Sequence, residues 1–187
     1  MSAGAGLGSL IGLACGHPLT GLVVGGPAGL LPDIDHPGSL LGRQVRVLAS
    51  VLEECCGHRQ SPTHTIMFCA PAGVAVGLGG AAAVHAWPVV AAGVVGALSH
   101  LGLDASTLSG IRPLRVWLPR LRRVSGTPWV KGWSMLIEAW DRLAAACEGS
   151  AWANRRLRGP VVTGDDWREG VVVLAGFLLV TVALFVW

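Results

Sequence analysis

Charged residues are scarce in this chain, and long stretches lack them altogether. They make up 13% of the 187 residues, against 52% hydrophobic ones, whereas an average soluble domain carries about 25% charged residues. None occurs in residues 1–32, 60–103 or 170–187. These blocks are long enough for bilayer crossings, which need about 20 apolar residues each. The composition therefore argues against a soluble fold and predicts an all-α membrane protein.

Three common sequence signals are also missing: a cysteine spacing for disulfides or zinc, a cleaved signal peptide and a nucleotide-binding glycine loop. The five cysteines show neither a paired-disulfide nor a zinc-knuckle spacing, so we predict that they are unpaired. No basic residues or small-residue cleavage site accompany the first apolar run, which indicates that this run is not a cleaved signal peptide. The glycines at positions 4, 6 and 8 have no preceding strand and no following lysine, and this favours helix packing over nucleotide binding.

The basic residues lie between the apolar blocks. Residues 104–169 hold 11 of the 14 Lys and Arg, and residues 33–59 hold the others. This positive-inside pattern predicts that both segments are cytoplasmic. The arginines of residues 105–169 are interleaved with tryptophans, which suits an anionic membrane surface. Stacking on single-stranded nucleic acid is the weaker alternative, and we expect the lipid bilayer, not nucleic acid, as partner.

The predicted architecture is a single membrane-embedded domain, 1–187, with about four transmembrane helices in a bundle and interfacial amphipathic helices. Its parts are a core with the candidate metal ligands, an Arg- and Trp-rich interfacial segment and a C-terminal transmembrane helix, in residues 1–120, 121–169 and 170–187. The first apolar run, residues 3–32, permits either one tilted span or two short helices.

The middle of the chain predicts a helical hairpin. One span runs from His64 to Val84, a turn follows at His85–Pro88, and a second span returns from Val89 to Asp104. Ser61 precedes the first span as a candidate N-cap. The hairpin should place Asp104, at the end of the second span, at the same membrane face as His64, at the start of the first span. His100 and Asp104 are four residues apart and share one side of the returning helix.

The apolar run before residue 33 ends in an acidic motif. Candidate ligands follow it along the chain: Asp33, Asp35, His36, His58, His64, His100 and Asp104, with Arg59 among them. Carboxylate oxygens and imidazole nitrogens are the donors that a divalent cation takes at such a site. Taken alone, each residue is better explained as a polar cap on a buried helix or as a histidine whose ring is satisfied by a backbone carbonyl or a packing partner. Their convergence on one membrane face favours a metal site.

At these motifs the chain resembles a bacterial family of inner-membrane, metal-dependent hydrolases, the one that includes a LexA-regulated membrane protein. The resemblance covers about residues 25–120 and rests on Leu-Pro-Asp-Ile-Asp-His at 31–36, His-Arg and Thr-His within 58–64, and Ser-His-Leu-Gly-Leu-Asp at 99–104. It implies a membrane-embedded hydrolase whose metal is held by Asp and His. This chain departs from the family in lacking a Thr-His pair ahead of its first apolar helix.

The resemblance and the ligand chemistry together suggest residue roles. The predicted metal ligands are Asp35, His58, His64, His100 and Asp104, and the predicted catalytic residues are Asp33, His36 and Arg59. Zinc is the expected ion and manganese the second choice, since either lowers the pKa of a bound water. Arg59 would face an anionic group such as a phosphoester, because its planar fork suits phosphate oxygens.

The expected function is hydrolysis of an ester or phosphoester of a lipidic or membrane-associated substrate at the cytoplasmic face of the inner membrane. The alternative is a non-enzymatic multi-pass membrane protein with a structural metal site or a role in ion transport. A conduction path needs polar residues deep in the spans, where the sequence offers only small ones such as Ser99. An assay of metal-loaded protein on esters separates the two hypotheses.

Overall fold

Helices dominate the part of the chain that the structure describes. The computed structural model describes residues 2–56, 59, 61–116, 134–161 and 167–186. The α-helices within these ranges are α1 Ser2–Ala14, α2 Pro18–Ala28, α3 Arg46–Cys56, α4 Ile66–Val84, α5 Val90–Ser106, α6 Ser134–Gly149 and α7 Trp167–Val186. Short 3₁₀ helices cover Leu31–Asp35, Pro62–His64 and Trp87–Val89. The all-α prediction is confirmed for these residues.

The first apolar run forms two short helices, not one tilted span. α1 ends at Ala14 and α2 begins at Pro18, with Gly16 between them at a φ of +77°. A positive φ is strained for residues with a side chain but open to glycine, which allows the sharp reversal. α1 packs against α2, α5 and α7, and α2 also packs against α4 and α5.

The hairpin prediction is confirmed. α4 and α5 pack against each other, and the turn between them contains His85 in a left-handed conformation. Two helical stretches, Ile66–Val84 and Trp87–Ser106, are long and apolar enough to cross a membrane. The apolar parts of α1 and α7, Ala3–Ala14 and Gly170–Val186, are shorter. The structure therefore supports two of the four predicted spans, and the other two stay a prediction.

Small residues fill the contacts between these helices. A Cβ atom on Gly25 would collide with the backbone of α1. A Cβ atom on Gly96 would collide with the backbone of Gly25, so the backbones of α2 and α5 touch directly. Such close approach is how helices pack in lipid, where burial of apolar area gives little driving force. The same contact brings the end of α2 next to the last turns of α5, where His100 and Asp104 lie.

The segment after α5 pairs with a distant part of the chain. Ile111 and Leu157 exchange backbone hydrogen bonds of 2.8 and 2.9 Å, and the amide of Leu108 donates to the carbonyl of Val161 at 2.9 Å. The amide of Ile66 donates to the carbonyl of Pro113 at 2.8 Å. The last of these bonds holds the loop after α5 against the start of α4. All five cysteines are free, as predicted.

Candidate metal centre

The acidic motif begins where α2 ends. Asp33 and Asp35 both lie on the 3₁₀ helix Leu31–Asp35, with Pro32 near its start. A 3₁₀ helix turns by about 120° per residue, so two side chains that are two positions apart leave it in different directions. The carboxylates of Asp33 and Asp35 therefore reach different partners.

His64 is held by Asp35 in a fully buried contact. Nδ1 of the imidazole lies 3.2 Å from Oδ2 of Asp35, and both side chains are 0% exposed. The hydroxyl of Ser61 donates to the same carboxylate oxygen. Thr63 completes this network, since its hydroxyl lies 2.6 Å from that of Ser61 and 3.2 Å from Nδ1 of His64. With Nδ1 occupied, Nε2 of His64 faces the other way.

His100 is held by the end of α2. Its Nδ1 lies 2.9 Å from the backbone carbonyl of Gly29. A carbonyl only accepts hydrogen bonds, so Nδ1 donates and Nε2 of the neutral ring carries the lone pair. That Nε2 lies 3.4 Å from Oδ1 of Asp33 and 3.3 Å from Oδ2 of Asp104. The two imidazole rings meet edge to face, with centroids 5.4 Å apart.

Asp104 joins the two histidines. Its buried Oδ2 lies 3.2 Å from Nε2 of His64 and 3.3 Å from Nε2 of His100. Neither contact has hydrogen-bond geometry, so within the described residues this oxygen accepts no hydrogen bond. Donors that surround a tetrahedral zinc ion at about 2.1 Å lie about 3.4 Å from one another. The spacing of these atoms fits an ion placed between them.

Asp33 completes the cluster. One donor atom each from Asp33, His64 and His100 lies within 4.8 Å of the others, a group that could hold a metal ion. The side chain of Asp33 is 26% exposed, that of His100 16% and that of Asp104 10%. The cluster is therefore closed on the His64 side and open on the Asp33 side.

The surroundings of His64 act on its pKa in opposite directions. Burial lowers the pKa of the imidazole because the charged form loses its hydration. The nearby carboxylates of Asp104 and Asp35 favour the charged form and outweigh burial, so the pKa of His64 lies above its ordinary value. This site thus attracts a positive charge into a buried position.

The remaining predicted site residues take other places. Nε of Arg59 lies 3.3 Å from Oδ1 of Asp104, and its Nη1 donates to the hydroxyls of Thr107, at 3.0 Å, and Ser109. Nδ1 of His36 lies 2.9 Å from Oε1 of Glu53, on α3. His58 lies outside the described residues.

The structure gives some predicted residues different positions from those that their predicted roles require, and it adds neighbours that the sequence analysis did not assign to the site. Asp35 was predicted as a ligand and Asp33 as a catalytic group, whereas the structure sets Asp35 behind His64 and Asp33 in the open cluster. Ser61 was predicted as an N-cap, but its side chain makes no cap bond and donates to Asp35 instead. The hydroxyls of Ser61 and Thr63 beside His64 were the available signal for this network.

The fold and the site define a helical membrane protein with a buried cluster of carboxylates and imidazoles at the ends of its long apolar helices. A family model described as YdjM inner membrane protein matches residues 1–187, and the chain belongs to this family. Searches of curated proteins and of solved structures found no match. Family membership confirms the predicted inner-membrane location and association with the bilayer.

Proposed function

We propose that this protein is a membrane-bound, metal-dependent hydrolase in which His64, His100 and Asp104 hold a divalent ion, zinc or alternatively manganese. The observation that carries the proposal is the orientation of the two imidazoles. Each has its Nδ1 held by a separate partner, Asp35 or Gly29, and each turns its Nε2 toward Asp104. Histidine ligands of metal ions commonly have the second ring nitrogen anchored in this way.

The charge of the cluster supports the proposal. Three carboxylates, those of Asp33, Asp35 and Asp104, lie around the two imidazoles. Carboxylate oxygens this close to imidazole nitrogens favour a positive charge between them. The buried Oδ2 of Asp104 accepts no hydrogen bond within the described residues, and a divalent cation would bind to it there.

The open side of the cluster favours a catalytic over a structural ion. Structural zinc sites are closed by four protein ligands, whereas catalytic sites use three and leave a position for water or substrate. When bound there, the ion would lower the pKa of a water toward neutrality. Asp33 lies on the exposed side, 3.4 Å from His100, where its carboxylate can accept the proton of that water. This keeps the base role predicted for Asp33.

The position of the cluster suggests the substrate. His100 and Asp104 lie in the last turns of α5, one of the two helices long enough to span a bilayer. A site at the end of such a helix lies near the membrane surface, within reach of lipid headgroups. We therefore propose an ester or phosphoester of a lipidic or membrane-associated molecule as substrate.

The test is an assay of zinc- or manganese-loaded protein in lipid on panels of carboxylic esters and phosphoesters. We expect turnover by the wild type. Asp33→Asn should bind the ion but lose turnover by about 10²- to 10⁴-fold, because an amide cannot accept the proton. His36→Ala serves as control, since that ring contacts Glu53. If the metal-loaded wild type leaves every ester intact, a structural metal site or a role in ion transport replaces the hydrolase.

A further inference from the structure

Arg59 contacts the cluster from the side away from the histidines. Its Nε lies 3.3 Å from Oδ1 of Asp104, whereas the histidines contact Oδ2. The carboxylate is thus held at one oxygen by a guanidinium and presents the other oxygen to two imidazoles. The Arg59 side chain is 21% exposed, so this contact is largely shielded from water.

Thr107 anchors the same guanidinium. Its hydroxyl accepts from Nη1 of Arg59 at 3.0 Å and from the amide of Gly110 at 3.2 Å, and it donates to the carbonyl of Asp104 at 2.7 Å. The hydroxyl of Ser109 also accepts from Nη1. The backbone and the side chain of Asp104 are therefore tied to one small network at the end of α5.

We propose that Arg59 is a positioning residue that fixes the carboxylate of Asp104, with Oδ1 bound to the guanidinium and Oδ2 directed at the metal position. The proposal rests on the proposed metal site. It assigns to Arg59 a role different from the contact with an anionic substrate that the sequence suggested, because the planar fork already contacts Asp104 and two hydroxyls.

Arginine suits this role for a geometric reason. Its planar, rigid fork can contact a carboxylate and the hydroxyls of Thr107 and Ser109 at the same time. Lysine keeps the positive charge but offers a single ammonium on a flexible stem. Arg59→Lys therefore separates orientation of Asp104 from neutralisation of its charge. Without the fork, the carboxylate can rotate and either turn away or bind the ion through both oxygens.

The experiment titrates cobalt(II) alone, without substrate, into detergent-purified wild type, Arg59→Lys and Arg43→Lys. Affinity and the visible absorption spectrum, which reports coordination geometry, are measured for each. We expect Arg59→Lys to bind cobalt about 10- to 100-fold more weakly, with an altered spectrum. Arg43→Lys is the matched control because Arg43 contacts the exposed carbonyl of Gly38, and it should behave like the wild type.

The outcomes separate this proposal from the one on which it rests. If folded Arg59→Lys matches the wild type in both affinity and spectrum, the positioning role is overturned and the metal site stands. If the wild type takes up neither cobalt nor zinc, both are overturned. If Arg59→Lys does not fold, Ser109→Ala decides, since Ser109 is exposed: weaker binding supports the positioning role and unchanged binding overturns it.

Discussion

At the scale of single residues, each of the three proposed ligands has two polar side-chain atoms, of which one contacts another part of the protein and the other faces the proposed metal position. Nδ1 of His64 contacts Asp35, Nδ1 of His100 contacts the carbonyl of Gly29, and Oδ1 of Asp104 contacts Arg59. The second atom of each lies within 3.2 or 3.3 Å of another donor. Orientation by separate partners holds the donors in place before an ion binds, which reduces the cost of ordering them.

The contact between Asp35 and His64 gives a prediction about an anchoring carboxylate. Asp35→Asn should weaken zinc binding by about 10- to 100-fold, because the loss of such an outer partner has this effect on metal affinity. Isothermal titration of zinc into the folded variant measures it. Glu53→Gln is the matched control, since Glu53 forms the comparable pair with His36. Equal zinc affinity in the two variants would contradict the role of Asp35.

The sequence indicates the proximity of His64, His100 and Asp104 more clearly than the division of roles between Asp33 and Asp35. That proximity follows from the hairpin and from the four-residue spacing on α5, both of which are periodic features. The ligand roles of the three residues stay a prediction. The division between Asp33 and Asp35 depends on the phase of a short 3₁₀ helix, for which a sequence has no periodic signal. The carbonyl of Gly29 that accepts the hydrogen bond of His100 is a backbone group, so the pattern of side chains in the sequence does not predict this contact.

At the scale of helices, backbone contact between α2 and α5 determines where the donors meet. A Cβ on Gly96 would collide with the carbonyl of Gly25. One turn further along each helix, the carbonyl of Gly29 accepts the hydrogen bond of His100. Close packing and ligand orientation therefore depend on the same interface, and a change that separates the helices should affect both.

Gly96→Ala tests this dependence. The added methyl group should destabilise the protein by about 1–3 kcal/mol through overpacking and weaken metal binding by moving His100 away from Gly29. Gly102→Ala, in the same helix, is the control because no described residue outside that helix lies within 4 Å of its Cβ position. Thermal denaturation in detergent and metal titration of both variants are the measurements. Equal stability and equal metal affinity would show that the interface does not position the site.

At the scale of the whole molecule, the α4–α5 hairpin and the pairing after it bring distant segments to the same end of the molecule. The loop after α5 pairs with residues 157–161 through the hydrogen bonds of Ile111 and Leu108. The sequence did not predict this pairing, because two isolated bridges between segments about fifty residues apart leave no alternating pattern. Of the Arg- and Trp-rich segment, residues 121–133 and 162–166 lie outside the described residues.

The hairpin predicts the topology of the charged segments. Residues 33–59 precede α4 and residues 107–161 follow α5, so the hairpin should place both segments on the same side of the membrane. The distribution of Lys and Arg predicts that this side is the cytoplasmic one. Reporter fusions after residues 45 and 155 should be active only with a cytoplasmic reporter. A fusion at Ala86, in the turn of the hairpin, should be active only with a periplasmic one. The reverse pattern would place the candidate metal centre on the periplasmic side.

The central claim is that His64 and His100 hold a metal ion, and metal content tests it most directly. Wild type and four variants are purified in detergent after zinc loading, and elemental analysis gives the bound zinc per chain. We expect one ion in the wild type, loss of the ion in folded His64→Ala and His100→Ala, and retention in His17→Ala and His36→Ala. Full zinc content in folded His64→Ala and His100→Ala would contradict the account.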